Sequence, residues 1–341
     1  MTRGSCSYQK DTTMTLVDAF HRNIDYLRIS VTDRCNLRCL YCVPQGELIK
    51  LKHQDILRYE EILRIARIAI SLGIKKIRIT GGEPLVRKGI ISLIESISAL
   101  SGLQDISITT NGVLLLENLK RLWNAGIRRL NISLDTMKRE KYRHITGSDK
   151  FDAVWTSIEK AADMGFDPIK INIVAMKNVN DDEIEDFGSL SMTKPYHIRF
   201  IEYMPIGTKP SRLRPEYIPS VEIKKRLEAL GELEAISRSA LDGPAERYRF
   251  EGAKGEIGLI SPMTNHFCKA CNRLRLTAAG SLRPCLLSSR EIDIRGPLRN
   301  GATDAELVEI FRKAVMMKPS SHGMLHEKSE LFPGEMSSIG G

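Results

Sequence analysis

Six short segments in which apolar and polar residues alternate, the first five each followed by a helical stretch, limit the folds open to this chain more than any other feature. The alternating segments fall at 27–31, 76–80, 106–110, 130–134, 169–174 and 197–201. Helical periodicity occupies 59–72, 89–100, 117–124, 151–164 and 182–190. Gly73, Gly102, Gly126 and Gly165 follow four of these stretches, where a helix-terminating glycine is expected. Repeated strand-then-helix units specify a parallel sheet. The alternation then selects its form. Ile77 and Ile79 share one face, Arg78 and Thr80 the other, and the same split separates Leu27, Ile29 and Val31 from Arg28, Ser30 and Thr32. It recurs at Leu130, Ile132 and Leu134 against Asn131, Ser133 and Asp135, and at Ile169, Ile171 and Ile173 against Lys170 and Asn172. An open doubly wound sheet is covered by helices on both faces and reads as continuous apolar runs. A polar face on strand after strand instead calls for a lined interior. The expected fold is α/β, a partial (β/α)6 TIM-like barrel, splayed because six strands fall short of eight.

The chain has 341 residues, enough for one large domain or two ordinary ones. The pattern divides it into an N-terminal segment 1–24, the barrel core 25–204, and a C-terminal region 205–341. The last opens on a stretch punctuated by Pro205, Pro210, Pro215 and Pro219, followed by a helical signal at 221–230 and short strands from about Arg247. With 51 basic and 42 acidic residues the net charge is +9, which suits an anionic ligand. Long Lys/Arg blocks with interleaved aromatics are missing, so a nucleic-acid groove is not favoured. No apolar run of membrane-spanning length and no signal-peptide core occur. The expected compartment is therefore the reducing cytoplasm, with no membrane or nucleic-acid partner.

Six of the seven cysteines fall in two tight groups, Cys35, Cys39 and Cys42, and Cys268, Cys271 and Cys285. Cys6 belongs to neither group. The first has CxxxCxxC spacing just after the first strand. Three thiolates so placed can hold three irons of a cubane cluster and leave the fourth open, which points to one-electron chemistry. Structural zinc wants four ligands in paired spacing, and no fourth Cys or His lies near the first group. The second group repeats the arithmetic of three thiolates, with a zinc knuckle completed by His266 as the competing reading.

Two other turns offer close access. Gly81 and Gly82, in the run Ile-Thr-Gly-Gly-Glu-Pro that closes the second strand, let backbone groups approach a ligand, and Thr110-Asn111-Gly112 follows the third strand in the same way. Between the second-group cysteines, alternation puts Arg273 and Arg275 on one side of Leu274. Paired guanidinium groups suit phosphate or carboxylate.

The CxxxCxxC spacing, with Tyr41 inside it, and the Gly-Gly-Glu-Pro turn together resemble the radical S-adenosylmethionine enzymes. The segment 271–285 and the Ile-Gly-Gly end narrow the resemblance to the GTP 3′,8-cyclase family, which opens molybdenum cofactor biosynthesis. That resemblance implies two [4Fe-4S] clusters, one on Cys35, Cys39 and Cys42 and one on Cys268, Cys271 and Cys285, with S-adenosylmethionine on the open iron of the first. It implies a 5′-deoxyadenosyl radical that takes hydrogen from C3′ of GTP, after which C3′ attacks guanine C8. Carried over by position, Tyr41, Gly82, Ser133 and Met204 contact S-adenosylmethionine. Arg28, Arg78, Thr109, Lys170, Arg273, Leu274 and Arg275 contact GTP. Arg273, Arg275, Gly340 and Gly341 take part at the reacting centre. Expected partners are GTP, an external electron donor, a downstream cyclic pyranopterin monophosphate synthase and a second copy of the chain in a homodimer. The rival readings are a radical S-adenosylmethionine enzyme with an auxiliary cluster acting on a peptide, and a zinc-stabilised nucleic-acid binder.

Overall fold

A computed structural model describes residues 15–42, 50–204, 206, 216–237 and 243–321. Cys6, Pro205, Pro210, Pro215, Gly340 and Gly341 lie outside the described residues.

The core runs β1 (Tyr26–Ser30), α1 (Tyr59–Ser71), β2 (Lys76–Thr80), α2 (Ile90–Ser98), β3 (Asp105–Thr110), α3 (Leu115–Asn124) and β4 (Arg129–Ser133). It continues through α4 (Arg139–Thr146), α5 (Phe151–Asp163), β5 (Ile169–Ala175), α6 (Ile184–Thr193) and β6 (Tyr196–Glu202). Beyond it lie α7 (Ser220–Glu228), β7 (Leu233–Ile236), β8 (Glu246–Phe250), β9 (Glu256–Ile260), β10 (Arg273–Leu276), β11 (Ser281–Arg283) and β12 (Ile292–Asp293). Two helices, α8 (Arg295–Arg299) and α9 (Asp304–Met316), complete the described chain.

All strands join one 12-stranded sheet in the order β12-β11-β10-β1-β2-β3-β4-β5-β6-β9-β8-β7. From β10 through β1–β6 to β9 every pairing is parallel. The sheet is curved but open, ending on antiparallel hairpins at β12 and β7. The six-stranded core is therefore as the alternation requires. The C-terminal strands do not form a layer of their own; β9 and β10 extend the same sheet at its two edges, and β10 brings Cys271 beside β1.

Both faces of the strands are buried, for different reasons. Leu27, Ile29, Ile77, Ile79, Leu130, Ile132, Ile169 and Ile171 are sealed in the apolar core against the helices. In α1, Ile62, Ile65, Ala66 and Ala69 recur at helical spacing and are fully buried, each isoleucine contributing about 1.5–3 kcal/mol. Gly73, at φ 90°, ends the helix, and Gly102, Gly126 and Gly165 stand in the same left-handed region after α2, α3 and α5. The opposite face carries Arg28, Arg78, Lys170, Arg199 and Arg275, all buried although ionisable.

The sequence reading passes over α4, α8 and α9. The start of α9 is legible in hindsight as a capping box: Thr303 Oγ1 accepts from the Glu306 N–H, while Glu306 Oε2 accepts from the Thr303 N–H at 2.7 Å. The helix buries Leu307, Phe311, Ala314 and Val315 and delivers Lys318 to the interior.

Candidate active site

The polar face lines a single chamber, and all six grouped cysteines open onto it. So do Tyr41, Gly82, Ser133 and Met204 on one side, and Arg28, Arg78, Thr109, Arg273 and Arg275 on the other. Two expected residues stand apart. Lys170 is buried behind the lining, next to Arg199 and Arg78. Leu274 projects to the other face of β10, into the apolar core, as its place between the two arginines requires.

The loop bearing the first triad is fixed from two sides. The Gly82 N–H donates to the Thr32 carbonyl at 2.7 Å and the Glu83 N–H to the Arg34 carbonyl at 2.8 Å. From the other side, the Arg38 and Leu40 N–H groups donate to the Thr146 and Ile145 carbonyls at the end of α4, both at 2.9 Å. The unforeseen helix thus supports the cysteine loop. Gly82 has a steric reason of its own: a Cβ there would stand 2.4 Å from the Arg34 carbonyl oxygen. Glu83, wholly buried, accepts from the Leu85 and Asn111 N–H groups and from Thr110 Oγ1, joining two loops at the chamber rim. Tyr41 donates its hydroxyl to Asp135 Oδ2 at 2.8 Å, and Asp135 Oδ1 accepts from the Val174 N–H at 2.9 Å.

The two triads sit in opposite electrostatic settings. Burial pushes the Cys39 thiol well up, and Cys42, Asp135 and Cys35 add to the effect. Burial also raises Cys35, helped by Glu83. Three crowded thiols set among carboxylates fit a cationic iron centre, which makes three thiolates stable together. At the second triad burial likewise opposes ionisation of Cys271, but Arg273 and Lys318 outweigh it and hold that thiol down to about 6. This donor set also fits a cluster. Among the described residues no three His, Cys, Asp or Glu side chains converge on one metal-ion position. Zinc needs its donors within about 2.0–2.3 Å of a single ion, whereas each cysteine of a cubane binds its own iron. His266 Nδ1 is 2.8 Å from the Pro262 carbonyl.

Between the triads the sheet register builds a row of guanidinium groups. Arg28 pairs across β1 with Arg275 on β10 and Arg78 on β2, so three arginines occupy neighbouring positions on one face. A second row joins Arg273, Tyr26, Lys76 and Asp105. Burial, with Arg78 and Arg273 nearby, brings Arg28 down to about 10, and burial with Arg28 and Arg273 lowers Arg275 as well. Lys170 is pushed down to about 6 by burial and by Arg199, Arg78, Lys76 and Arg129. At the ~5 Å spacing of neighbouring strands and an effective dielectric near 20, each like-charged pair costs about 3 kcal/mol. Thr109 Oγ1 and the Tyr26 hydroxyl are buried in this wall without a hydrogen-bond partner among the described residues. A polyanion fits here: it compensates the cations and satisfies donors left over by the fold.

Sequence reasoning missed Lys76, Arg199, Tyr26 and Lys318. Arg199 was within reach, since His197 and Arg199 alternate with Ile198 and Phe200 on β6. Its side chain lies across Gly258 of β9, where a Cβ would stand 3.0 Å from Arg199 Cγ. Lys318 carries no signal of its own, because it lies past a helix rather than on a patterned strand.

Comparison with known proteins gives a consistent account of this architecture. The Radical SAM superfamily pattern matches residues 29–190, and that of Molybdenum Cofactor Synthesis C matches residues 196–324. The chain is 50% identical over 324 residues to the GTP 3′,8-cyclase of Moorella thermoacetica, covering 95% of this chain and 99% of the relative. It is 48% identical over 330 residues to that of Heliobacterium modesticaldum, covering 96% and 100%. Among solved structures, Streptococcus suis SuiB superposes with a TM-score of 0.59 at 14% identity, over 94% of this chain and 78% of SuiB. The native anSMEcpe structure with bound AdoMet superposes with a TM-score of 0.56 at 15% identity, over 86% of this chain and 81% of that one. These two likenesses speak for the shared fold alone. Half the residues kept from end to end of both chains is a far narrower bond, and by it this chain belongs to the GTP 3′,8-cyclase family of radical S-adenosylmethionine enzymes.

Proposed function

We propose that the chamber holds S-adenosylmethionine against the first triad and GTP between the two triads, with the guanidinium row taking the triphosphate. The chain is a GTP 3′,8-cyclase that makes (8S)-3′,8-cyclo-7,8-dihydroguanosine 5′-triphosphate in the first step of molybdenum cofactor biosynthesis. It uses S-adenosylmethionine and a [4Fe-4S] cluster. When bound, these supply the one-electron cleavage that produces a hydrogen-abstracting radical. What the chain's own residues add is position. Cys35, Cys39 and Cys42 hold the cluster, Tyr41 and Gly82 fix the loop around it, and Ser133 and Met204 border the S-adenosylmethionine side. Arg28, Arg78, Arg273 and Arg275 bind phosphate oxygens, Thr109 supplies a hydroxyl, and Lys170 adds charge from behind the lining.

Cys268, Cys271 and Cys285 hold a second [4Fe-4S] cluster in this reading, placed to orient the guanine base. The observation that carries the proposal is that both triads and the cationic row open onto one chamber. A peptide substrate would leave that buried charge uncompensated. The division into 1–24, 25–204 and 205–341, and the entry of Gly340 and Gly341 into the reacting centre, belong to the same proposal. So do an external electron donor, a downstream cyclic pyranopterin monophosphate synthase and a homodimer. No helix among the described residues is long and apolar enough to cross a membrane. Thiol triads that must stay reduced to take iron support a cytoplasmic setting.

The test is anaerobic reconstitution of the full chain with dithionite, S-adenosylmethionine and GTP. The expected result is 5′-deoxyadenosine formed in step with the cyclised nucleotide and dependent on GTP. Release that ignores GTP, or that proceeds equally with unrelated peptides, overturns the assignment of the chamber.

A further inference from the structure

The proposed function gives Lys318 no role, yet its side chain is spent on the second triad. It follows α9 and is buried, with 4% of its surface exposed. Its Nζ donates to the Arg273 carbonyl and to the Pro284 carbonyl, each at 2.7 Å. Cys271 lies close enough to interact electrostatically with the same ammonium group.

The two carbonyls are not arbitrary. Arg273 lies two residues after Cys271, and Pro284 immediately precedes Cys285. The antiparallel ladder of β10 and β11 pairs Leu276 with Leu282 and Arg275 with Arg283, which is its last pair toward the cysteines. Cys271 and Cys285 therefore stand just past the end of the ladder, where no strand pairing fixes their separation. Lys318 bridges the two arms at that point.

The third cysteine is held by a similar device. Arg22 donates from Nη1 to the Cys268 carbonyl at 2.7 Å and from Nη2 to the Pro319 carbonyl at 2.6 Å, while its Nε is bound to Asp18 Oδ2 at 2.6 Å. Two buried cations from opposite ends of the described chain thus meet at 318–319 and brace all three cysteine arms.

We propose that Lys318 is the positioning residue of the second triad: it clasps the Cys271 and Cys285 arms at cluster-binding separation. The proposal rests on the reading that this triad holds a cluster. Groups that hold metal ligands in place are worth about 10–100-fold in metal affinity, so an untied pair of arms loses iron readily.

The experiment compares full-length wild type with Lys318→Met, Lys318→Arg and Lys318→Gln. Each is reconstituted anaerobically, desalted and exposed to EDTA while iron per chain is followed. Wild type and Lys318→Arg are expected to keep about eight irons, the content of two cubanes. Lys318→Met and Lys318→Gln are expected to lose about four of them at least tenfold faster than wild type. Both keep dithionite-driven cleavage of S-adenosylmethionine, which needs only the first triad. Iron loss at the wild-type rate in these variants overturns the proposal. So does loss of all iron in one phase, which signals unfolding rather than a role at one triad. If Lys318→Met does not fold, Lys318→Gln against Lys318→Arg carries the test, and equal retention overturns it. A wild-type chain that takes up only about four irons instead overturns the second-cluster reading, and the role of Lys318 falls with it.

Discussion

Replacing Gly82 with alanine adds one methyl group and is expected to cost the chain its first cluster while sparing the second triad. The backbone of Gly82 is not in the left-handed region, so alanine meets no conformational strain there. The obstacle is steric. A Cβ at Gly82 meets the Arg34 carbonyl oxygen at 2.4 Å, the Arg34 carbonyl carbon at 2.7 Å and the Asp33 carbonyl oxygen at 3.0 Å. Side chains essentially never approach within 3.0 Å, so opening 2.4 to 3.0 Å moves the backbone next to Cys35 by at least 0.6 Å. The loop cannot slide away freely, because its far end is bound through Arg38 and Leu40 to α4. Overpacking of this kind costs about 1–3 kcal/mol, which a domain of this size survives. The cluster is the more sensitive party, since disturbing the groups that orient metal ligands costs about 10–100-fold in metal affinity. The assay is iron per chain after anaerobic reconstitution, together with dithionite-driven cleavage of S-adenosylmethionine. Gly82→Ala should fold, retain about four irons and lose cleavage. Full iron with cleavage within twofold of wild type would refute the steric argument.

Two further outcomes follow from the cationic wall. Lys170 titrates near 6 in the folded chain and near 10.4 unfolded, so between these values the unfolded chain binds more protons and the ligand-free fold gains stability as pH rises. A bound triphosphate raises Lys170 toward its ordinary value, so GTP binding at pH 8 should take up as much as about one proton. Calorimetry in buffers of different ionisation enthalpy reads that number, and an uptake of zero contradicts the role of Lys170. Arg275→Ala removes a charged donor worth about 1.5–3 kcal/mol and should lower kcat/KM for GTP by roughly 10- to 150-fold with iron content unchanged. Loss of iron instead would mark Arg275 as a structural support.

Much of this was open to reading because the chemistry rides on periodic elements. Arg28 and Arg78 alternate with core isoleucines, so a period of two assigns them to the interior before any site is known. The cysteine spacings are local and equally plain. The rest depends on contacts that no local pattern encodes. That α4 supports the cysteine loop is settled by two backbone hydrogen bonds from Thr146 and Ile145, which carry no side-chain signature. The joining of β9 and β10 to the two edges of the core sheet is a matter of long-range pairing. Lys318 acts across a gap between segments remote in sequence. Leu274 shows the converse: position by resemblance put it with the ligand, while its own alternation puts its side chain in the core.

The claim on which all else depends is that each thiol triad carries its own cubane across one chamber. Iron and acid-labile sulfide should be counted, without exposure to air, in wild type and in a chain with Cys268, Cys271 and Cys285 all changed to serine. Two cubanes predict about eight irons falling to about four, with S-adenosylmethionine still cleaved and GTP no longer cyclised. An unchanged iron count, or cyclisation that survives the triple replacement, would contradict it.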